Sequence, residues 1–122
     1  LAAAGRFAGF GADDALYLVM PDRFANGDAS NDDPAKSRGL FDRTKARSYH
    51  GGDLAGMRRR LPYLKDLGIT ALWLNPVYDN DDRVNGREVI GGEPATAYHG
   101  YHARDHYAVD EHFGDTATFR AL

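Results

Sequence analysis

The chain has 122 residues, 43% hydrophobic and 27% charged, which is the size and composition of one soluble domain and not that of a disordered chain. A net charge of -3, with Arg58, Arg59 and Arg60 confined to a mixed-charge segment, offers no basic face for nucleic acid. No stretch approaches the roughly 20 apolar residues of a membrane helix, and the absence of cysteine rules out disulfides and thiolate chemistry while leaving the compartment open.

Residues 1–14, rich in glycine and alanine, read as a linker from a preceding domain, so the folded segment is expected over 15–122. Residues 15–20 form an unbroken apolar run between Asp14 and Pro21, the pattern of a strand covered on both faces. A long polar loop is expected from Pro21 to about Gly52. Leu54, Met57, Leu61, Leu64 and Leu67 then recur at spacings of three and four, predicting one apolar side of a helix capped by Asp53 and ended by Gly68. Pro62 should kink or shorten that helix. Residues 69–74 are again apolar throughout and stop at Asn75 and Pro76, predicting a second buried strand. Strand, helix, strand is a βαβ unit, whose strands must run parallel. A second long loop is expected over 75–115, and residues 115–122 read as the opening turns of another helix.

The polar loops carry the chemistry. Asn26, Asp28, Asn31 and Asp32 supply four oxygen-bearing side chains within seven residues, and Asp53 with the Gly51 carbonyl can complete the shell from a second segment. Calcium takes roughly six to eight such oxygens with tolerant geometry. An EF-hand is excluded: counted from Asn26, Asn31 stands where its glycine belongs and Ser37 where its glutamate belongs. An ordinary solvated turn is the competing reading, since Asn, Asp, Gly and Ser favour turns for backbone reasons. His102 and His106 are four apart, but Ala103 stands where a zincin glutamate would. Gly91 and Gly92 lack the lysine and hydroxyl that would follow in a phosphate-cradling loop.

Two all-apolar strands and one complete helix cannot cover one another, and two loops of this length suit the rim of a larger α/β barrel. Four segments, in order, carry a resemblance that fits this: Tyr17-Leu-Val-Met-Pro-Asp-Arg-Phe-Ala-Asn-Gly-Asp28; Tyr49-His-Gly-Gly-Asp53; Gly68-Ile-Thr-Ala-Leu-Trp-Leu-Asn-Pro76; and Tyr98-His-Gly-Tyr-His-Ala-Arg-Asp-His-Tyr107 with Asp110-Glu-His-Phe-Gly114. They resemble the N-terminal part of the catalytic barrel of the α-amylase family of glycoside hydrolases, within it the cyclomaltodextrinases and neopullulanases, with relatives among the cyclodextrin glucanotransferases. The resemblance implies an α/β fold that is the first part of a (β/α)₈ TIM barrel, whose active site lies on the loops after the strands.

It further implies a structural calcium ion held by Asn26, Asp28, Asn31, Asp32, the Gly51 carbonyl and Asp53. By the same likeness, His99 and Tyr101 line the subsite of the attacked sugar, the imidazole bonding a hydroxyl and the phenol ring stacked beneath the pyranose. The sequence departs from many relatives at His102, where they carry Trp. The retaining mechanism uses two carboxyl groups roughly 5–5.5 Å apart, and the resemblance puts these beyond Leu122, so no catalytic residue is assigned here. The parent is expected to be a retaining α-glucan hydrolase acting on α-1,4 bonds of cyclodextrins, pullulan or starch oligosaccharides. Its expected partners are that substrate, the remainder of the barrel and, in a homodimer, a second copy. The competing reading is a free-standing noncatalytic module that binds calcium or carbohydrate.

Overall fold

The computed structural model describes residues 9–122, so most of the expected linker lies outside the described residues. Strand β1, Leu16–Val19, and strand β2, Ala71–Leu74, pair in parallel, with Leu16 opposite Ala71 and Val19 opposite Leu74. Side chains alternate across a strand. Val19 is therefore in the core with Tyr17, Leu72 and Leu74 packed against it, while Leu16, Leu18 and Trp73 share the opposite, exposed face.

After β1 comes a single helical turn, α1, Pro21–Phe24. The crossover helix α2, Leu54–Asp66, begins where Asp53 accepts the Gly56 N–H at 2.6 Å and closes at Gly68, whose N–H bonds the Lys65 carbonyl at 2.9 Å. Leu54, Met57 and Leu64 are buried as the spacing predicts, but Leu67 lies past the helix end and is exposed. Pro62 neither stops nor shortens α2. It sits on the solvent side, as does Arg58, whose carbonyl loses its N–H partner and is left to water, while the leucines on the other side hold the helix in place.

Residues 75–115 are not simply loop, contrary to expectation. Strand β3, Tyr78–Asn80, pairs antiparallel with β6, Ala103–Val109; between them β4, Asn85–Ile90, and β5, Glu93–Ala95, form a hairpin. Both pairs carry register shifts. The last helix, α3, Thr116–Ala121, starts at Asp115, whose carboxylate accepts the Thr118 N–H at 2.6 Å. The core gathers Val19, Leu40, Tyr49, Leu54, Met57, Val77 and Phe113 between the parallel pair, α2 and the loops. No closed barrel exists among the described residues, and none of their helices is long and apolar enough to cross a membrane.

Candidate functional site

The loops after β1 and β2 stand side by side because the strand ends do: the Asn75 N–H bonds the Val19 carbonyl at 2.9 Å. Buried Asp22, just past β1, accepts the His50 N–H at 2.8 Å and the Gly51 N–H at 3.1 Å and pairs with Arg23. Burial pushes its carboxyl above the usual range against the pull of these donors. The bonds pin the second oxygen-rich segment to the first.

The Asn26 amide donates to Asp32 Oδ1 at 2.6 Å. Gly51, at φ +82°, lies against the same two side chains, so a Cβ there would collide with Asp32. Asn26, Asp32 and Gly51 thus converge. Asn31, next to Asp32 in the chain, has a buried Oδ1 with no hydrogen-bond partner. Burial raises the Asp32 carboxyl above its ordinary value, and the charges of Asp53 and Asp28 add to the rise.

Asp53 is completely buried, and its carboxylate accepts N–H bonds from Gly27, Asp28 and Gly56. Asp28 turns one oxygen to Ser30. Both are therefore fixed by N–H or O–H donors; the cap at Asp53 was expected, but its bonds to Gly27 and Asp28 and the turn of Asp28 to Ser30 were not. The donor set still fits a hard cation: neutral and anionic oxygens, an orphaned buried one, and carboxylates whose mutual repulsion a cation would relieve. The oxygen of the Asn26 amide would face a cation after a simple flip of the group.

The second cluster follows β2. Gly100, at φ +85°, presses against the Pro76 carbonyl, and the Asn75 amide donates to the His99 carbonyl at 3.1 Å. His99 and Tyr101 are therefore seated on the C-terminal end of β2. The Tyr101 N–H donates to His99 Nδ1 at 3.0 Å, which leaves the ring proton on Nε2 in the neutral imidazole. Burial, with help from His102 and Arg47, keeps His99 below its ordinary pKa and hence neutral near pH 7. The arrangement offers one N–H donor beside Tyr101, a residue 62% exposed, the two rings 5.8 Å apart. A neutral donor next to an open aromatic face suits a polyhydroxylated ring.

Arg23 lies over the Tyr98 ring at 4.1 Å while its guanidinium holds the Ser48 and Ala46 carbonyls, tying the first loop to the second cluster. Residue identity alone gave no hint of this pairing, and Asp110 and His112 entered only within a motif, without a role. Asp110 is buried, accepts the Asn80 and His112 N–H groups, and is pushed up to about 6 by burial. His112 stacks on Tyr49 at 3.7 Å, and its two ring nitrogens meet Ser37 Oγ at 2.9 Å and the Asp32 carbonyl at 3.1 Å. His102 and His106 lie beside and within extended β6 rather than on a helix.

Asp28, Asp32 and Asp53 do not bring three carboxylate oxygens within 4.8 Å of one another; among the described residues, two other groups bring metal-ligating atoms that close. Asp79, Asp82 and Glu111 surround the Lys36 ammonium, which already supplies their cation and whose own pKa they raise. Glu88, His99 and His102 form the other group, with Arg47 on Glu88.

Residues 18–122 match the profile of the alpha amylase catalytic domain. The chain belongs to the α-amylase family. It is 42% identical over 107 residues to a cyclomaltodextrin glucanotransferase of Klebsiella oxytoca, covering 88% of this chain and 15% of the relative. It is 40% identical over 108 residues to neopullulanase 2 of Thermoactinomyces vulgaris, covering 88% and 16%. The crystal structure of CldA, a cyclomaltodextrin glucanotransferase with a three-domain ABC distribution, superposes with a TM-score of 0.78 at 49% identity, over 87% of this chain and 21% of that one. A cyclomaltodextrinase of Thermoanaerobacter pseudethanolicus, 37% identical, completes the three groups the motifs had suggested. This α-amylase-family chain thus spans about a sixth of the curated relatives it matches. It is a partial catalytic domain.

Proposed function

We propose that the protein to which this segment belongs is a retaining enzyme that cleaves or transfers α-1,4-linked glucans, with cyclodextrins, pullulan and starch oligosaccharides as candidate substrates. Residues 15–122 form the N-terminal segment of its barrel, residues 1–14 lead in from a preceding domain, and the acid machinery lies on the remainder. The segment's own contribution is to bind one sugar and to brace the loops that do so.

The observation that carries this reading is the seating of His99 and Tyr101 on the end of β2, with a free Nε2–H donor beside an open phenol face. The attacked sugar gains oxocarbenium character. A tyrosine face beneath it gains attraction as positive charge develops, worth about 0.5–2 kcal/mol, so it favours the transition state over the bound substrate. His99 orients that sugar through one hydroxyl without competing for its proton.

Asn26, Asp28, Asn31, Asp32, the Gly51 carbonyl and Asp53 would hold a calcium ion. When bound, it supplies positive charge that neutralises the carboxylates and staples the loop after β1 to the start of α2. Its role is structural.

The test is steady-state kinetics of the full-length protein carrying Tyr101→Ala. Its kcat on a maltooligosaccharide should fall by roughly fivefold or more while substrate affinity changes little. Equal weakening toward the substrate and a transition-state analogue would show that Tyr101 does not act on the reacting sugar.

A further inference from the structure

His99 is held from more directions than a loop histidine requires. Its ring meets the His102 ring edge to face, with centroids 4.6 Å apart and an 84° angle. His102 Nε2 lies 3.3 Å from Glu88 Oε2, and the other Glu88 oxygen is taken by the Arg47 guanidinium. Arg47 also anchors the β4–β5 hairpin at its base, since its carbonyl accepts the Thr96 N–H at 2.9 Å and the Thr96 hydroxyl at 3.1 Å. One residue thus fastens the hairpin through its backbone and the hairpin's carboxylate through its side chain.

A transition metal shared by Glu88, His99 and His102 is the rival use of this cluster. Three observations favour the other reading. The Arg47 charge already occupies Glu88 and would oppose a second cation beside it. His99 Nδ1 is engaged by the Tyr101 N–H, so the neutral ring carries a proton on Nε2, where a metal would need a lone pair. Burial and the Arg47 charge also act against any gain of positive charge at His99, with Glu88 alone working the other way.

We propose that Glu88 is a positioning residue for His99, acting through His102, and that the β4–β5 hairpin thereby sets the orientation of the histidine that holds the sugar. The inference rests on the reading that His99 contacts the reacting sugar. The carboxylate fixes the His102 ring, the His102 ring abuts His99 and limits its rotation, and the Tyr101 N–H fixes which nitrogen donates. A hairpin of different length or charge would then alter the enzyme's discrimination at that sugar without touching it.

The experiment is a double-mutant cycle in the full-length protein with Glu88→Gln, His99→Asn and the pair. Each is assayed on a maltooligosaccharide and on α-glucosyl fluoride, which presents a single sugar. Glu88→Gln keeps the shape of the side chain and removes its charge, and thermal melts confirm that each variant is folded. Glu88→Gln alone should lower kcat/KM by about tenfold on both substrates and by almost nothing in the His99→Asn background, the mark of two residues acting as one unit. The same loss in both backgrounds overturns the inference, as does a loss seen only with the longer substrate. A His99→Asn variant with undiminished kcat/KM would instead defeat the sugar-binding reading on which the inference stands, a result in a different arm of the cycle.

Discussion

The six oxygen-bearing residues divide into two roles, and substituting one of each separates them. Asp53 is wholly buried and accepts N–H bonds from Gly27, Asp28 and Gly56. Asp53→Ala removes an N-cap worth about 1 kcal/mol and strands two further donors, Gly27 N–H and Asp28 N–H, in part-buried bonds of about 1.5–3 kcal/mol each to a charged acceptor. The loss of roughly 4 kcal/mol or more should appear without any metal. Asp32 differs: its burial is partial, and Asp53 and Asp28 repel its charge. Asn at position 32 keeps an oxygen for the Asn26 amide and relieves that repulsion, so Asp32→Asn should leave the metal-free melting temperature nearly unchanged. Calcium at about 100 times its dissociation constant stabilises by about 2.7 kcal/mol, roughly 5–10 °C in a domain of about 200 residues. Scanning calorimetry of the full-length protein in chelator and in calcium should show that shift in the parent and little of it in Asp32→Asn. Should Asp32→Asn retain the full shift, the cation is not bound between these loops. Should Asp53→Ala match the parent in chelator, the energetic assignment of its hydrogen bonds is wrong.

Gly100→Ala places a Cβ against the Pro76 carbonyl at φ +85°; it should cost about 2 kcal/mol or more and displace His99 and Tyr101, so that activity falls further than stability. Retained activity in that variant would show that the loop does not depend on this close approach. His112 should reveal itself through pH. Burial lowers it from 6.5 to about 4, so the folded state binds fewer protons than the unfolded one in that interval, and its contribution is present above 6.5 and lost as pH falls to 4. Asp110, pushed from 3.8 to about 6, works in the opposite sense and loses stability as pH rises through the same range. The two nearly cancel in the parent. In His112→Gln the destabilisation relative to the parent should therefore shrink by about 3 kcal/mol between pH 7 and pH 4, and a constant gap across urea melts at these pH values would contradict it.

The parallel pair and α2 could be read from sequence because each depends on local apolar pattern: two unbroken runs stopped by proline, and leucines at helical spacing. The hairpin was readable too. Gly91 and Gly92 both take positive φ, 63° and 85°, the requirement of a tight hairpin turn, yet these glycines had drawn only the question of phosphate binding. Strands β3 and β6 carry no such mark. In β6 the run Arg104, Asp105, His106 breaks any apolar alternation, and the pairing is held by distant bonds such as Asp110 N–H to the Val77 carbonyl, 3.0 Å. The oxygen-rich loop was visible by composition, but the split of labour within it was not, because Asp53 bonds Gly27 across 26 residues. Asp110 and His112 are buried by Tyr49 and Ser37, whose proximity no local pattern encodes.

The exposed face of the parallel pair bears on how far this segment can stand alone. Leu16, Leu18 and Trp73 are 47%, 61% and 59% exposed, and the register sets Leu18 beside Trp73 as one apolar patch. Covering these three side chains would be worth about 4 kcal/mol at 1.5–3 kcal/mol each for complete burial. That is comparable to the lower end of the roughly 5–15 kcal/mol by which domains are stable at all. Both edges of the two-stranded sheet also present unpaired backbone groups. A polypeptide of these 122 residues alone should therefore bind a hydrophobic dye, self-associate on a sizing column and melt without a sharp transition. A soluble monomer with a cooperative melt and no dye binding would mean that the patch costs less than its area indicates. The rest of the barrel would then be needed for chemistry but not for folding.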